Sequence, residues 1–326
     1  MSQPPVVLGL DFGGTKIAMM VCEPSGERIA SSTVASGGEF GGRASFERGI
    51  QAARALLANA AAADRGLAAV GVSTFGIPFD DRVELAPAIS GWDELAFGHE
   101  LRAAFPGARI VMVTDAKAAA QAEVRWGALA GCDPAVYLNL GTGLSAAIVA
   151  GGQVLAGMNG AAGEIGYNLR TLADVGVPLT ARTTLEDMIS GQALARRAAG
   201  HTADGQPMAA GQVFEASRDV PGLDRLLTDF AAELAYHVVN LAICLNPVRI
   251  AVGGGMVQSW DRLRPALQDA LSAGVPFPPE LVAARFPSDA PLIGAVALAV
   301  DATRADGVGS ADITLPVTPL SEGLPL

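Results

Sequence analysis

Apolar positions in this chain fall into short unbroken runs that stop abruptly at glycine, alternating with longer stretches in which they recur every three or four residues. The first short run, Leu8–Leu10, gives way to Asp11, Gly13, Gly14, Thr15 and Lys16, and a second apolar run, Ile17–Cys22, follows at once. That pattern predicts two antiparallel strands joined by a tight glycine turn. The same arrangement returns at Val136–Leu140, Gly141-Thr142-Gly143 and Leu144–Val149. Each copy is followed by another turn and a third strand, Pro24–Glu27 before Arg28–Ala30 and Gly151-Gly152 before Gln153–Leu155. Two similar β-meanders in one chain predict an internal duplication, each half presenting a glycine turn to a shared cleft.

The remaining pattern alternates helix and strand. Phe46, Ile50, Ala53, Leu57 and Ala60 share a helical face that stops near Gly66, and Ala68–Ser73 reads as a buried strand ending in the bend Thr74–Pro78. The backbone at Gly76 is expected to face a ligand there, because strand ends open into clefts. Trp92 closes a loop and reads as a packing anchor, with a helix over 93–105 after it. Ala108–Val113 is a strand that exits through Thr114-Asp115 into an alanine-rich helix over 116–129. Residues 168–182 have weak periodicity and read as irregular, and a helix is expected to begin at 183–186, where threonine precedes glutamate. A long core helix over 225–245 makes His237 structural, and the strand Val248–Val252 feeds Gly253-Gly254-Gly255 before a helix from Ser259. A helix over 291–300 and a mobile tail over 306–326 complete the chain.

Composition narrows the function classes. The chain has 326 residues, of which 50% are hydrophobic and 17% charged, enough for two packed cores and against bulk disorder. A net charge of −11 argues against nucleic acid as a partner. No basic leader and no uninterrupted apolar run of about 18 residues are present, so no membrane partner and a cytoplasmic location are expected. The cysteines, Cys22, Cys132 and Cys244, lie far apart in apolar surroundings and read as core thiols of a reduced protein.

Chemistry concentrates at the glycine turns and strand ends. Gly13 and Gly14 permit positive φ and leave no Cβ in the way, so backbone N–H groups can approach an anion, with the Thr15 hydroxyl as a further donor. Asp11 is placed to hold magnesium, directly or through water. The pattern is not a Walker loop. Asp115 serves equally as a helix N-cap or as a general base fixed at a rigid junction. Glu164, in a glycine-rich loop, reads as a polyol contact or a solvated turn residue, and Glu186 as a cap or a ligand contact. Three glycines at 253–255 would let backbone lie against a flat base.

These pieces together resemble the ROK sugar kinases, within the actin-like ATPase and hexokinase fold. The resemblance rests on Asp11–Lys16, Asp115-Ala116 before a helix ending in Trp126–Ala128, Leu140–Gly143, Gly160–Gly166, Leu185–Gly191, Asn246-Pro247 with Gly253–Gly255, and Gly294-Ala295, in family order. It implies an α/β, two-lobed, ribonuclease H-like ATPase: a smaller lobe over 1–114 joined by a C-terminal helix over 290–303, and a larger lobe over 115–289. It also implies ATP and Mg2+ as cofactors and Asp115 as catalytic base. Gly13, Gly14, Thr15, Lys16, Gly141, Thr142 and Gly143 would lie about the phosphates, Gly254 and Gly255 beside the adenosine, and Glu164 and Glu186 on sugar hydroxyls. A homodimer is expected, and no helix-turn-helix of the family's repressor branch precedes Asp11.

Departures from the family pattern mark the acceptor side. Ala88 and Thr114 stand where the family keeps sugar-contacting asparagines, and Tyr167, Val177, Leu179 and Thr184 stand where it keeps the histidine and three cysteines of a structural zinc site. No zinc is therefore expected. The expected function is an ATP-dependent kinase for a sugar or sugar-like polyol other than plain glucose, such as an aminosugar or C7-cyclitol. An ordinary glucokinase or hexokinase, and a catalytically silent sugar- or nucleotide-binding module, remain the alternatives.

Overall fold

The computed structural model describes residues 4–59, 65–201 and 205–304, so the expected tail over 306–326 lies outside the described residues. Contacts divide the described residues into two compact units, one formed by those within 1–118, 156–162 and 292–304, the other by those within 119–155 and 163–291.

Unit 1 is built on β1 (Val6–Phe12), β2 (Lys16–Cys22), β3 (Arg28–Ala35), α1 (Gly42–Asn59), β4 (Leu67–Thr74), β5 (Ile77–Pro78), β6 (Val83–Glu84), α2 (Phe97–Ala104) and β7 (Arg109–Thr114). Its main sheet runs β3-β2-β1-β4-β7, the first three strands antiparallel and the last three parallel. β1 and β4 are continuous apolar runs because both their faces are covered. On one face Phe12, Phe46, Trp92 and Phe97 pack with ring centroids 5.6–5.7 Å apart. Trp92 is fully buried, as a packing anchor should be, and its indole N–H donates to Thr74 Oγ1 at 3.2 Å. Helix α2 begins at Phe97 rather than 93, because Leu95 N–H and Phe97 N–H close tight turns first, onto Trp92 O and Leu95 O.

The helix α3 (Asp115–Trp126) leads on to β8 (Ala135–Leu140), β9 (Leu144–Ala150), β10 (Gln153–Val154), α4 (Gly191–Ala198), α5 (Ala210–Ala216), α6 (Pro221–Leu245), β11 (Arg249–Gly253), α7 (Trp260–Gly274) and β12 (Glu280–Ala283), and α8 (Ala290–Arg304) follows. Unit 2's sheet runs β10-β9-β8-β11-β12 with the same antiparallel and parallel pattern as the first. The duplicated meander read from the sequence is thus a duplicated five-strand topology. Its core gathers Leu223, Phe230 and Leu234 of α6 against the sheet. Helix α6 is long and apolar enough to cross a membrane, yet half of that stretch is buried within the protein.

Two local readings need correction. No helix begins at 183–186: Thr184 and Asp187 cap each other in a single turn, and α4 starts only at Gly191, where Ser190 Oγ accepts from Ala193 N–H. The cysteines are not all core thiols, since Cys22 is buried but Cys244, on α6, is exposed.

Candidate functional site

The predicted site residues belong to both units, and each set has its own geometry. In unit 1, β1 delivers Asp11 at its end and the turn to β2 follows. Gly13 N–H donates to Lys16 O at 3.0 Å, closing the turn. Ser36, just after β3, takes the outward carbonyls: its Oγ donates to Gly14 O at 2.8 Å and its N–H to Thr15 O at 3.0 Å. Gly14, Thr15 and Lys16 remain exposed. Neither Gly13 nor Gly14 is among the positive-φ glycines, so neither uses that freedom. Space is tight at 13 instead, because a Cβ there would lie 3.0 Å from Lys16 O, whereas at Gly14 the nearest atom is the Ala88 Cβ at 3.7 Å.

Two carboxylates come together behind that turn. Asp11 accepts from Ser73 Oγ at 2.8 Å, and burial lifts its pKa to about 6 despite that bond, with the neighbouring Asp115 charge adding to the rise and Lys16 opposing it. Asp115 is likewise raised by burial, against a hydrogen bond from Ala116 N–H at 2.7 Å and the charge of Lys117. Asp115 opens α3 and is partly covered as a residue. Thr114 is buried, and Lys117 Nζ lies 3.5 Å from its Oγ1. Gly76 takes φ 76°, with a Cβ there 2.6 Å from Ala86. Its place is set by packing at the end of β4.

In unit 2 the Gly141–Gly143 turn is closed by Gly141 N–H onto Gly143 O at 3.1 Å, and α4 holds its back: Gly191 N–H donates to Gly141 O at 2.8 Å and Gln192 N–H to Thr142 O at 3.3 Å. Gly254, at φ 87°, lies beside this turn, where a Cβ would sit 2.5 Å from Leu140 O, while Gly255 faces open space. Glu186 Oε2 accepts from Leu144 N–H at 2.7 Å, a role that its sequence setting does not announce. Glu164 precedes the 3-10 turn Ile165–Tyr167, whose Tyr167 hydroxyl is raised in pKa by burial and by the charges of Glu186, Glu164 and Asp187. Glu164, Tyr167 and Glu186 are therefore neighbours. Val177, Leu179 and Thr184 offer no thiolate or imidazole, and no metal-sized cluster of His, Cys, Asp and Glu occurs among the described residues. A cavity of about 880 Å³ between α6 and α7, lined by Leu227, Ala231, Tyr236 and Leu263, includes none of the predicted site residues.

Sequence reasoning missed Ser36 and Ser73, the donors that fix the first turn and Asp11. A serine beyond a strand end, or inside a buried strand, is the only trace that either leaves.

The ROK family model matches residues 7–302. The chain is 31% identical over 307 residues to the kanosamine kinase of Amycolatopsis mediterranei, covering 90% of this chain and 96% of that protein. It is 36% identical over 197 residues to the bifunctional enzyme NanE/NanK of Brucella melitensis, covering 59% of this chain but only 36% of that longer protein. Among solved structures, a ROK family glucokinase of Streptomyces griseus in complex with glucose and AMPPNP superposes with a TM-score of 0.71 at 28% identity, covering 90% of this chain and 98% of that one.

Proposed function

The chain belongs to the ROK family, and from that premise we propose that it is an ATP-dependent carbohydrate kinase with Asp115 as general base. The observation that carries the reading is the pairing of Asp115 with Asp11 behind an exposed glycine turn. Phosphoryl transfer asks a protein mainly for positioning and charge neutralisation, with one group to receive the acceptor's proton. Asp115, held by Ala116 N–H at a strand-to-helix junction and raised in proton affinity by burial, is suited to that role. The two glycine turns, whose carbonyls are drawn back onto Ser36 and onto α4, would direct backbone N–H groups of Gly14-Thr15 and Thr142-Gly143 to the phosphates. Gly254 and Gly255 would border the base of the nucleotide.

Two neighbouring carboxylates with elevated proton affinity suit a divalent cation, so Asp11 is the residue that would hold Mg2+, which supplies charge neutralisation on the phosphates when bound. Glu164, Tyr167 and Glu186 are the acceptor contacts. The side chains at 88 and 114 are too short to supply the amide contacts of an asparagine, and the kanosamine kinase similarity runs nearly end to end. We therefore assign an aminosugar, or a carbocyclic analogue of one, as acceptor in preference to glucose. The chain is read as working without zinc, as a homodimer.

ADP release measured over kanosamine, glucose and N-acetylmannosamine tests the assignment. Kanosamine should give the highest kcat/KM; glucose outcompeting it would overturn the acceptor assignment. Asp115→Asn should lower kcat by about a thousandfold, with AMPPNP affinity within about twofold. Undiminished turnover would remove Asp115 as base.

A further inference from the structure

Glu186 does more in this fold than offer a carboxylate to an acceptor. Its Oε2 accepts from Leu144 N–H at 2.7 Å, immediately after the second glycine turn. A Cβ at Gly143 would stand 2.4 Å from the same oxygen, so glycine at 143 is what lets the carboxylate reach under the turn. The backbone of Glu186 meets a different partner: its N–H donates to Gly166 O at 3.0 Å. Gly166 is itself wedged, since a Cβ there would lie 2.7 Å from Leu144 O and 3.1 Å from Glu186 Cβ. Around it the 164–168 turn is tightly made, with Tyr167 N–H on Glu164 O at 3.1 Å and Asn168 N–H on Ile165 O at 2.9 Å. Its far end is held by Arg182, whose Nη2 donates to Tyr167 O at 2.7 Å. Glu186 therefore bonds through its side chain to one turn and through its backbone to the other.

We propose that Glu186 couples the two, so that nucleotide seated at Gly141–Gly143 stiffens the turn that carries Glu164 and Tyr167 and prepares it to receive the acceptor. This rests on the kinase reading and adds an order of events to it. Coupling of this kind is reciprocal: whatever the nucleotide does to the acceptor turn, the acceptor does to nucleotide affinity. A plain acceptor contact has no such consequence, because removing it weakens acceptor binding equally with and without nucleotide.

Hydrogen–deuterium exchange of the full chain with AMPPNP and Mg2+ separates these cases. In the unaltered protein the probe should slow exchange both in peptides over 139–146 and in peptides over 163–168, the latter by about fivefold. In Glu186→Ala the first protection should remain and the second vanish. Glu186→Gln, whose amide oxygen still accepts from Leu144 N–H, should keep both. Glu186→Asp, charged but one methylene short of Leu144, should behave as Glu186→Ala does and serves if alanine unfolds the unit. Protection over 163–168 that persists in the alanine and aspartate variants, or that is missing in the unaltered protein while AMPPNP protects 139–146, overturns the coupling alone. Failure of AMPPNP to bind the unaltered protein overturns the kinase reading and the coupling with it.

Discussion

The two glycine turns occupy the same position in the same five-strand topology, yet they stand on different supports. In the first, Ser36 at the end of the neighbouring strand takes the carbonyls of Gly14 and Thr15. In the second, the N-terminal amides of α4 take the carbonyls of Gly141 and Thr142, and Glu186 takes the Leu144 amide. A loop that is to meet phosphate must turn its carbonyl oxygens away, since their partial charge repels the anion. Any donor in reach accomplishes that. Duplication thus kept the strand pattern, which burial enforces, while each unit acquired its own means of tying the turn back.

Each turn also has a carboxylate near it, and here the contrast is testable. Asp11 has a pKa of about 6 against an ordinary 3.8, so the folded chain holds this proton more firmly than the unfolded chain does. Its contribution to stability is full below the unfolded value and is lost as pH rises through about 6. Asp11→Asn, which keeps an oxygen for Ser73, should therefore stabilise the protein by roughly 2 kcal/mol at pH 7.5, with the gain in Tm fading by pH 4. Glu186→Gln, at a carboxylate bonded to a backbone amide, should bring no such gain. Equal gains would erase the distinction between the two carboxylates. Next in size, Gly143→Ala should displace Glu186 and weaken AMPPNP binding by about tenfold, with part of the loss recovered in the double variant with Glu186→Ala. Gly14→Ala, with 3.7 Å of clearance, should leave Tm unchanged, so any affinity that it loses reports the ligand's approach to that turn. A fall in Tm matching that of Gly143→Ala would contradict the difference in packing. Smallest is Ser36→Ala, expected to raise the KM for ATP by about fivefold through an untied Gly14 carbonyl, an effect of about 1 kcal/mol. An unchanged KM would mean that the Ser36 N–H alone suffices.

What the sequence revealed follows from physics that is local or periodic. The strands around Gly13 and Gly141, the long α6 and the burial of Trp92 all leave a repeating or bounded apolar signal, and the structure has each of them. The supports were illegible because they are single hydrogen bonds between distant residues: Ser36 to Gly14, Ser73 to Asp11, and Leu144 to Glu186. The helix misplaced at 183–186 shows the opposite failure. Thr184 and Asp187 do cap, but the turn that they close ends at Ser190, which starts α4 as a separate helix. Gly13 and Gly14 permit positive φ but do not use it, and at Gly13 glycine serves proximity rather than handedness. Cys244 lies on the face of α6 that the core leaves bare, which its apolar neighbours in sequence conceal.

The way α8 meets unit 1 bears on how the chain is made. A methyl group at Gly71 on β4 would fall 1.9 Å from Ala295 O, and one at Gly294 would fall 1.7 Å from Ala118 O, so backbone packs on backbone with no side chain between. The part of the first-translated β-sheet that receives α8 meets that helix only once all of unit 2 has been synthesised, so the half that begins the polypeptide is the last to be finished.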